Sequence, residues 1–210
     1  MIIFAFILLF SFLTQLVVSQ DTSLAKIKQA FDIAHIPEDI ALPFDPSFLL
    51  EVSLPQTTGS AIVLKAGVQL PRNATVGPPS FALIGRDVGN GPFVIATVDP
   101  DAPTPQDPNI AQVRHFLGGN FVSERLFAGA TVLTNRTAAV SGWLQPTPPA
   151  GSDAHRYIFL VFKQPRDFND QVLVDAATPV TSFNISAFGA AVGLGKPIAG
   201  TFMLVAPDPA

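Results

Sequence analysis

The hydrophobic pattern of the first part of the chain predicts one amphipathic helix. Apolar side chains recur at helical spacing within residues 22–36, at Leu24, Ile27, Phe31 and Ala34. Thr22 or Ser23 can cap the beginning of this helix, and Pro37 follows just after its end. The segment therefore predicts a helix with one apolar face, and docking on a sheet is the simplest explanation for that face.

Short apolar runs separated by turn residues predict β-strands along most of the remaining chain. The runs cover residues 48–54, 61–64, 80–84, 93–98 and 156–162, and residues 121–143 are expected to hold two more strands around Asn135. The 156–162 run is apolar almost throughout, which is typical of a strand buried on both faces. The 20 Pro and 15 Gly residues favour many short strands and turns over long helices, so the expected fold class is mostly β.

The first twenty residues carry no charge, and residues 2–13 are apolar except for Ser11. This pattern is typical of a signal peptide, and the small residues Val17 and Ser19 favour cleavage after Ser19 or within a residue or two. The segment lacks Lys and Arg, so an uncleaved N-terminal anchor is the alternative. We predict a signal peptide at 1–20 and a single domain at 21–210, with an N-terminal helical segment at 21–40 and a core at 42–205.

Further features bear on where the protein is located and what it binds. Three sequons, at Asn73, Asn135 and Asn184, predict glycosylation of a secreted chain, although Asn184 also suits a helix N-cap, where packing would block modification. Cysteine is absent, so neither disulfides nor thiol chemistry is available. The 12 basic residues are scattered and the net charge is −4, which excludes nucleic acid as a partner and gives no attraction to anionic membranes. No stable membrane insertion is expected after signal removal.

Polar groups gather near predicted strand ends. Asp99 and Asp101 lie in an Asp-Pro-Asp-Ala-Pro run that turns stiffly after the 93–98 strand, because each proline restricts the backbone. His155 and Tyr157 are two residues apart on a strand and face one side, whereas Arg156 faces the other. There we expect an ion pair of Arg156 with Asp101 or another carboxylate. Each group alone also fits an ordinary structural role, but together they predict a shared pocket.

At these residues the chain resembles the phosphatidylethanolamine-binding protein (PEBP) family. That family includes the Raf kinase inhibitor proteins, the plant flowering-time regulators and the yeast carboxypeptidase Y inhibitor. The resemblance rests on the runs at 99–103, 115–117 and 151–157, and it covers roughly residues 42–205. Residues 183–188 and 193–201 look like the closing helix and last strand of the family. A secretory, glycosylated chain with a short C-terminus is more similar to the fungal branch.

The resemblance implies a PEBP-like antiparallel β-sheet sandwich with a few short peripheral helices. It also implies a pocket at the end of the sheet that binds an anionic head group, with these candidate residues: Asp99, Asp101, His115, Pro149, His155 and Tyr157. Histidine and tyrosine donate hydrogen bonds to phosphate oxygens, and an imidazole can supply positive charge. Asp99 would orient a histidine or meet the amine of a phosphoethanolamine head. Thr147 adds a side chain near the mouth.

We therefore predict a secreted binding module for a phosphorylated, phosphoethanolamine-like head group or a small anion. The alternative is an inhibitor of a serine carboxypeptidase or another serine protease, acting through the N-terminal segment and a surface patch. No catalytic residues, cofactor or metal are expected, because the chain has neither a Gly-x-Ser-x-Gly nor a His-Glu-x-x-His motif. The expected location is extracellular, with the vacuole as another destination of the secretory pathway.

Overall fold

The computed structural model describes residues 21–125 and 130–209. The predicted signal peptide at 1–20 lies outside the described residues. Within them the chain forms nine strands: β1 (Leu49–Leu54), β2 (Ile62–Val63), β3 (Val68–Leu70), β4 (Ser80–Ile84), β5 (Phe93–Asp99), β6 (Val113–Arg125), β7 (Ala130–Asn135), β8 (His155–Lys163) and β9 (Ala199–Val205). The helices are α1 (Leu24–Ile33), α2 (Ile36–Asp39) and α3 (Ile185–Val192), with 3-10 turns at Arg72–Thr75 and Phe168–Asp170.

The nine strands form one curled sheet in the order β2-β1-β4-β7-β6-β5-β8-β9-β3. Neighbouring strands pair antiparallel, except that β3 pairs parallel with β9. A hydrophobic cluster covers each face of the sheet. The mostly β fold class is therefore confirmed, with the two apolar layers packed on opposite faces of a single sheet.

The central pair β5 and β8 explains the continuous apolar runs in the sequence. Val94 and Ala96 pack in one hydrophobic cluster, whereas Phe93 and Ile95 pack in the other, so β5 is buried on both faces. The antiparallel register places Val98 of β5 opposite Ile158 of β8. The end of β5 therefore lies beside the beginning of β8, at one end of the sheet.

The N-terminal helix is shorter than predicted. Ser23 caps α1, because its side chain accepts a hydrogen bond from the Lys26 backbone N–H at 3.4 Å, but the helix ends at Ile33. Pro37 does not end a helix; it lies in the first turn of α2, where its missing N–H needs no partner. Phe31 is buried, stacks on Phe44 with ring centroids 3.8 Å apart and meets Phe202 of β9 edge to face at 5.5 Å, so the apolar face of α1 docks on the sheet.

Most predicted strands are present, and the differences lie in short or irregular segments. β3 was not predicted, and β6 begins at Val113, well before the predicted 121–143 segment. The strand expected after Asn135 is absent, because the chain runs from there as a loop to β8, with one bridge between Ser141 and Leu117. This loop supplies part of the site described below. Asn184 caps α3 as predicted, accepting a hydrogen bond from the Ala187 N–H at 2.8 Å.

The surface carries all three sequon asparagines. Asn73, Asn135 and Asn184 are exposed, although the side chain of Asn184 is engaged in its cap. Their glycosylation stays a prediction. None of the helices within residues 21–125 and 130–209 has the length and hydrophobicity required to cross a membrane.

Candidate functional site: a small cavity at the end of the sheet

Three strands bring the predicted polar groups to one end of the sheet. Asp99 ends β5, and His155 and Tyr157 begin β8. His115 lies on β6 at an irregularity in the pairing, since Thr97 pairs with Phe116 and Val98 pairs with Arg114. The register thus leaves His115 as an extra residue, and a bulge of this kind redirects a side chain. The four side chains enclose a cavity of about 230 Å³.

The cavity wall combines these polar groups with apolar residues from the turn and the loops. Its lining residues are Asp99, Ala102, Pro103, Ile110, Val113, His115, Leu144, Thr147, Pro149, His155 and Tyr157. Five of the six candidate residues from the sequence therefore lie at the cavity, and Thr147 lies at it as expected. Asp101 is the exception.

Asp101 belongs to an ion-pair cluster outside the cavity. Its carboxylate accepts hydrogen bonds from Arg156, at 3.0 Å from Nε and 2.5 Å from Nη2, and from the Arg156 backbone N–H at 2.7 Å. The predicted ion pair is thus present, and it occupies the carboxylate that the sequence had grouped with the ligand-binding residues. Arg156 also contacts Asp39 at 2.7 Å and donates to the carbonyl of Ala34.

The Arg156 guanidinium is held firmly in its charged state. Burial acts to lower its pKa, but hydrogen bonds and charge from Asp101 and then Asp39 outweigh this effect and raise the pKa above its ordinary value. Because Asp39 is the last residue of α2, the cluster ties the N-terminal helical segment to the turn that carries Asp99. This geometry suits a structural role.

His115 has one ring nitrogen engaged by the backbone and one turned to the cavity side. Its Nδ1 lies 2.8 Å from the carbonyl oxygen of Leu144, and its Nε2 lies 4.0 Å from Oδ2 of Asp99. Burial lowers the pKa of His115, although the Leu144 hydrogen bond and the Asp99 charge act in the opposite direction. The ring meets Tyr157 edge to face, with centroids 4.9 Å apart.

His155 is engaged at both ring nitrogens. Nδ1 lies 2.9 Å from Oδ2 of Asp99, and Nε2 lies 2.9 Å from the hydroxyl oxygen of Ser152. Asp99 also accepts a hydrogen bond from the Asp101 backbone N–H at 2.7 Å. Asp99 therefore orients His155, which is one of the two roles that the sequence suggested for it.

Ser152, His155 and Asp99 have the connectivity of a serine-hydrolase triad. However, Ser152 is not part of the cavity wall, and its hydroxyl also lies 2.9 Å from the carbonyl oxygen of Asp153, as a donor to it. A nucleophile must face the bound substrate and an adjacent oxyanion site. The arrangement therefore orients His155 and does not supply a nucleophile to the cavity.

Tyr157 presents a protonated hydroxyl. Burial, followed by the negative charges of Asp99 and Asp101, raises the pKa of Tyr157 well above its ordinary value. The charge of Arg72 and the backbone of Thr147 act in the opposite direction but do not outweigh these causes. A buried phenol in this state is available as a hydrogen-bond donor to a bound group.

The cavity wall has an unusual charge balance for an anion site. Of the residues in 21–125 and 130–209 that line it, Asp99 is a carboxylate and none is lysine or arginine. The same described part of the chain holds no cluster of His, Cys, Asp or Glu suited to a metal ion. Among the lining residues, the imidazoles of His115 and His155 are the groups that can carry positive charge.

Two features of the site could not be read from the strand pattern. The Leu144 carbonyl reaches His115 from the irregular 136–154 loop, whose path depends on the whole fold. The second feature is the contact between Ser152 and His155, for which the spacing of three residues in the sequence is the one local signal.

Comparison with known proteins agrees with the fold. Residues 53–203, more than half of the chain, match the family described as phosphatidylethanolamine-binding protein. The chain belongs to this family. Two plant relatives from Arabidopsis thaliana are each 26% identical: Protein BROTHER of FT and TFL 1 over 175 residues, 81% of this chain and 86% of that protein, and Protein FLOWERING LOCUS T over 176 residues, 84% and 90%.

Other proteins are similar over shorter stretches or in fold alone. A 26 kDa secreted antigen from Toxocara canis is 31% identical over 119 residues, covering 54% of this chain and 41% of that protein. A carboxypeptidase Y inhibitor solved in complex with its cognate proteinase has a TM-score of 0.73 at 20% identity, covering 88% and 97%. A phosphatidylethanolamine-binding protein from Plasmodium vivax has a TM-score of 0.64 at 13% identity, covering 86% and 97%. Assignment to the fungal branch stays a prediction.

Proposed function

We propose that this PEBP-family protein is a binding module that takes a phosphorylated head group or a small anion into the cavity at the end of its sheet. The observation that carries the proposal is the convergence of His115, His155, Asp99 and Tyr157 on one cavity of about 230 Å³. Sites for drug-sized ligands are usually larger, roughly 300–1,000 Å³. The volume suits a single phosphate-sized group with a short substituent.

The polar groups at the cavity suit a zwitterionic head group. Tyr157 donates through its protonated hydroxyl, and an imidazole supplies charge and a second hydrogen bond to phosphate oxygens. Asp99, whose Oδ2 already orients His155, would attract the amine of phosphoethanolamine. Phosphoethanolamine should therefore bind more tightly than inorganic phosphate, because it satisfies both the donors and the carboxylate.

We further propose that the protein is secreted, carries glycans at Asn73 and Asn135, and is not an enzyme. Both asparagines are exposed. The relative from Toxocara canis is named as a secreted antigen, which supports this location. Expression in a secretory host, followed by glycosidase treatment and N-terminal sequencing, tests secretion and both sites together.

Titration of the purified domain with phosphoethanolamine and inorganic phosphate tests the binding proposal. Saturable NMR shifts of His115, His155 and Tyr157 are expected at or below millimolar ligand, and His115→Ala and Asp99→Ala should abolish them. His35→Asn is the matched control, because His35 is exposed, lies outside the cavity and has a positive φ that asparagine tolerates. Absence of shifts with both ligands in the wild-type protein would overturn the proposal.

Inhibition of a serine carboxypeptidase is the second candidate function. It is favoured by the fold that the chain shares with a carboxypeptidase Y inhibitor and by exposed apolar residues on α1, where Leu24 is 39% and Ile33 71% exposed. Ile27 and Phe31 are buried against the sheet, so removing the whole segment would damage the core. A cleaner test is the double variant Leu24→Ser with Ile33→Ser.

The two candidate functions separate in one inhibition assay. If the N-terminal helix contacts a carboxypeptidase, the double variant should weaken inhibition while it leaves phosphate binding unchanged. His115→Ala should do the opposite. Failure of the wild-type protein to inhibit a serine carboxypeptidase at micromolar concentration would overturn the inhibitor function.

A further inference from the structure

The charge balance of the cavity poses a problem for anion binding. Asp99 is buried and negatively charged, and among the described residues of the cavity wall none is lysine or arginine. Arg156 contacts the turn that carries Asp99, but its guanidinium is already engaged by Asp101 and Asp39. An anion that enters would meet a like charge unless a group at the cavity becomes positive.

The tautomers of the two histidines follow from their partners. The Nδ1 of His115 faces a backbone carbonyl, and the Nδ1 of His155 faces a carboxylate. A carbonyl oxygen accepts hydrogen bonds and never donates them, and the same holds for an ionised carboxylate, so both Nδ1 atoms carry the proton. When the rings are neutral, each Nε2 is therefore a lone pair, which cannot donate to an anion.

Ser152 distinguishes the two rings. Its hydroxyl oxygen lies 2.9 Å from Nε2 of His155, so both ring nitrogens of His155 have a hydrogen-bond partner in the protein. The Nε2 of His115 has no such partner among the described residues, since the Asp99 oxygen at 4.0 Å is beyond hydrogen-bond distance. His115 is thus the ring whose free nitrogen can respond to a ligand.

We propose that the cavity binds its anionic group together with one proton, held between Nε2 of His115 and an oxygen of the anion. This inference rests on the proposed function. Either His115 takes the proton from solvent and donates N–H to a phosphate dianion, or the corresponding monoanion, which carries that proton itself, donates its O–H to Nε2. Both descriptions contain the same atoms and the same total charge.

The surroundings of His115 favour proton uptake on binding over a permanent charge. The groups that face this ring are Asp99 from β5, His155 and Tyr157 from β8, and the Leu144 carbonyl from the loop. Burial lowers the pKa of His115, so the empty cavity holds a neutral ring at neutral pH. A bound anion adds the negative charge that stabilises the imidazolium, and the proton in turn offsets repulsion by Asp99.

Calorimetric titration in two buffers of different ionisation heat measures the protons taken up on binding. Inorganic phosphate and sulfate are the probes, at pH 7 and pH 8. Sulfate carries no proton at these pH values, so any proton bound with it must come from the buffer and reside on the protein. We expect uptake close to one proton per bound sulfate, and affinity for sulfate that falls about tenfold per pH unit.

The variant His115→Gln removes the titrating nitrogen and keeps an amide donor near its position. It should bind sulfate without proton uptake, whereas the control His35→Asn should retain the full uptake. A readout that needs no variant is the ¹⁵N shift of His115 Nε2, which should change from the unprotonated to the protonated form when sulfate saturates the wild-type protein.

The outcomes separate the inference from the function on which it rests. If phosphate and sulfate bind without proton uptake, proton coupling is wrong and anion binding stands. If uptake persists in His115→Gln, the proton lies elsewhere and the assignment to His115 is wrong. If neither phosphate, sulfate nor phosphoethanolamine binds the wild-type protein, the proposed function itself is overturned.

Discussion

Two polar clusters lie side by side at the same end of the sheet, and they differ in how completely their groups are satisfied. In the ion-pair cluster, Arg156 joins Asp101 and Asp39 at hydrogen-bond distances. In the cavity cluster, Asp99 and His155 are paired, but Nε2 of His115 lies 4.0 Å from Oδ2 of Asp99, beyond hydrogen-bond distance. Both clusters start from the same turn, which carries Asp99 and Asp101.

The alternation of side chains on β8 produces this difference. His155 and Tyr157 project to the cavity, and Arg156 between them projects to the N-terminal helices. A fixed guanidinium on one side can be neutralised completely by carboxylates, whereas imidazoles on the other side can change their charge. The satisfied cluster therefore serves stability, and the incompletely satisfied cluster is the one suited to bind a ligand.

The largest expected effect comes from breaking the ion-pair cluster with Arg156→Met. This change leaves Asp101 buried and without its cation, so the free energy of unfolding should fall by roughly 3 kcal/mol or more. Urea unfolding followed by fluorescence of Trp143 measures it. The matched control is Arg136→Met, which breaks an ion pair with Glu124 whose side chains are 61% and 51% exposed, and should cost less than about 1 kcal/mol. Equal losses for the two variants would contradict the assignment of Arg156 as structural.

Much of the difference between the two polar clusters could be predicted from the sequence, because it follows from the alternation of side chains along one strand. Spacing alone placed His155 and Tyr157 on one side of a strand and Arg156 on the other, and predicted that Arg156 pairs with Asp101 or another carboxylate. The resemblance to the PEBP family then connected Asp99 and His115, which lie on different strands, to the same pocket. Local rules also identified the caps Ser23 and Asn184.

The missed features depend on contacts between distant parts of the chain. β3 has three residues and gains its partner from β9, more than a hundred residues later, so no local pattern marks it. The Leu144 carbonyl that sets the His115 tautomer belongs to an irregular loop. Pro37 was interpreted as a helix end, but the same residue also suits the first turn of a new helix.

The second prediction concerns the pH dependence that His115 gives to the ligand-free protein. Because burial lowers its pKa below the ordinary value of 6.5, the unfolded chain binds the proton first as the pH falls. The free energy of unfolding should therefore decrease from about pH 7 downward until the folded-state pKa is passed, by at most about 1.4 kcal/mol per pH unit. Comparing unfolding of the wild type and His115→Gln across this range isolates the effect.

The same comparison of unfolding free energies in saturating sulfate provides a further test. A bound anion favours the imidazolium, so the difference between wild type and His115→Gln should shrink or reverse at low pH when sulfate is present. Identical pH profiles for the two proteins without ligand would show that His115 is not desolvated as the structure indicates.

A smaller effect is expected from Ser152→Ala, which acts within the cavity cluster. The variant removes the hydrogen bond to Nε2 of His155, and it should lower the free energy of unfolding by about 1 kcal/mol. The ¹⁵N shift of His155 Nε2 should move as well, because this nitrogen loses its hydrogen-bond partner. Ser152→Thr keeps the hydroxyl and should restore both values; failure of threonine to restore the shift would argue against this role for the hydroxyl.

The smallest effect should come from the outer carboxylate of the ion-pair cluster. The Asp39 side chain is 41% exposed, so Asp39→Asn removes a partly solvated charge and leaves Arg156 paired with Asp101. The expected loss in free energy of unfolding is about 0.5 kcal/mol. Asp32→Asn is the control, since it breaks the exposed Lys28–Asp32 pair, whose atoms are 3.7 Å apart on α1. If Asp39→Asn lowered the free energy of unfolding as much as Arg156→Met, the contact with the N-terminal segment, and not the burial of Asp101, would account for the contribution of this cluster to stability.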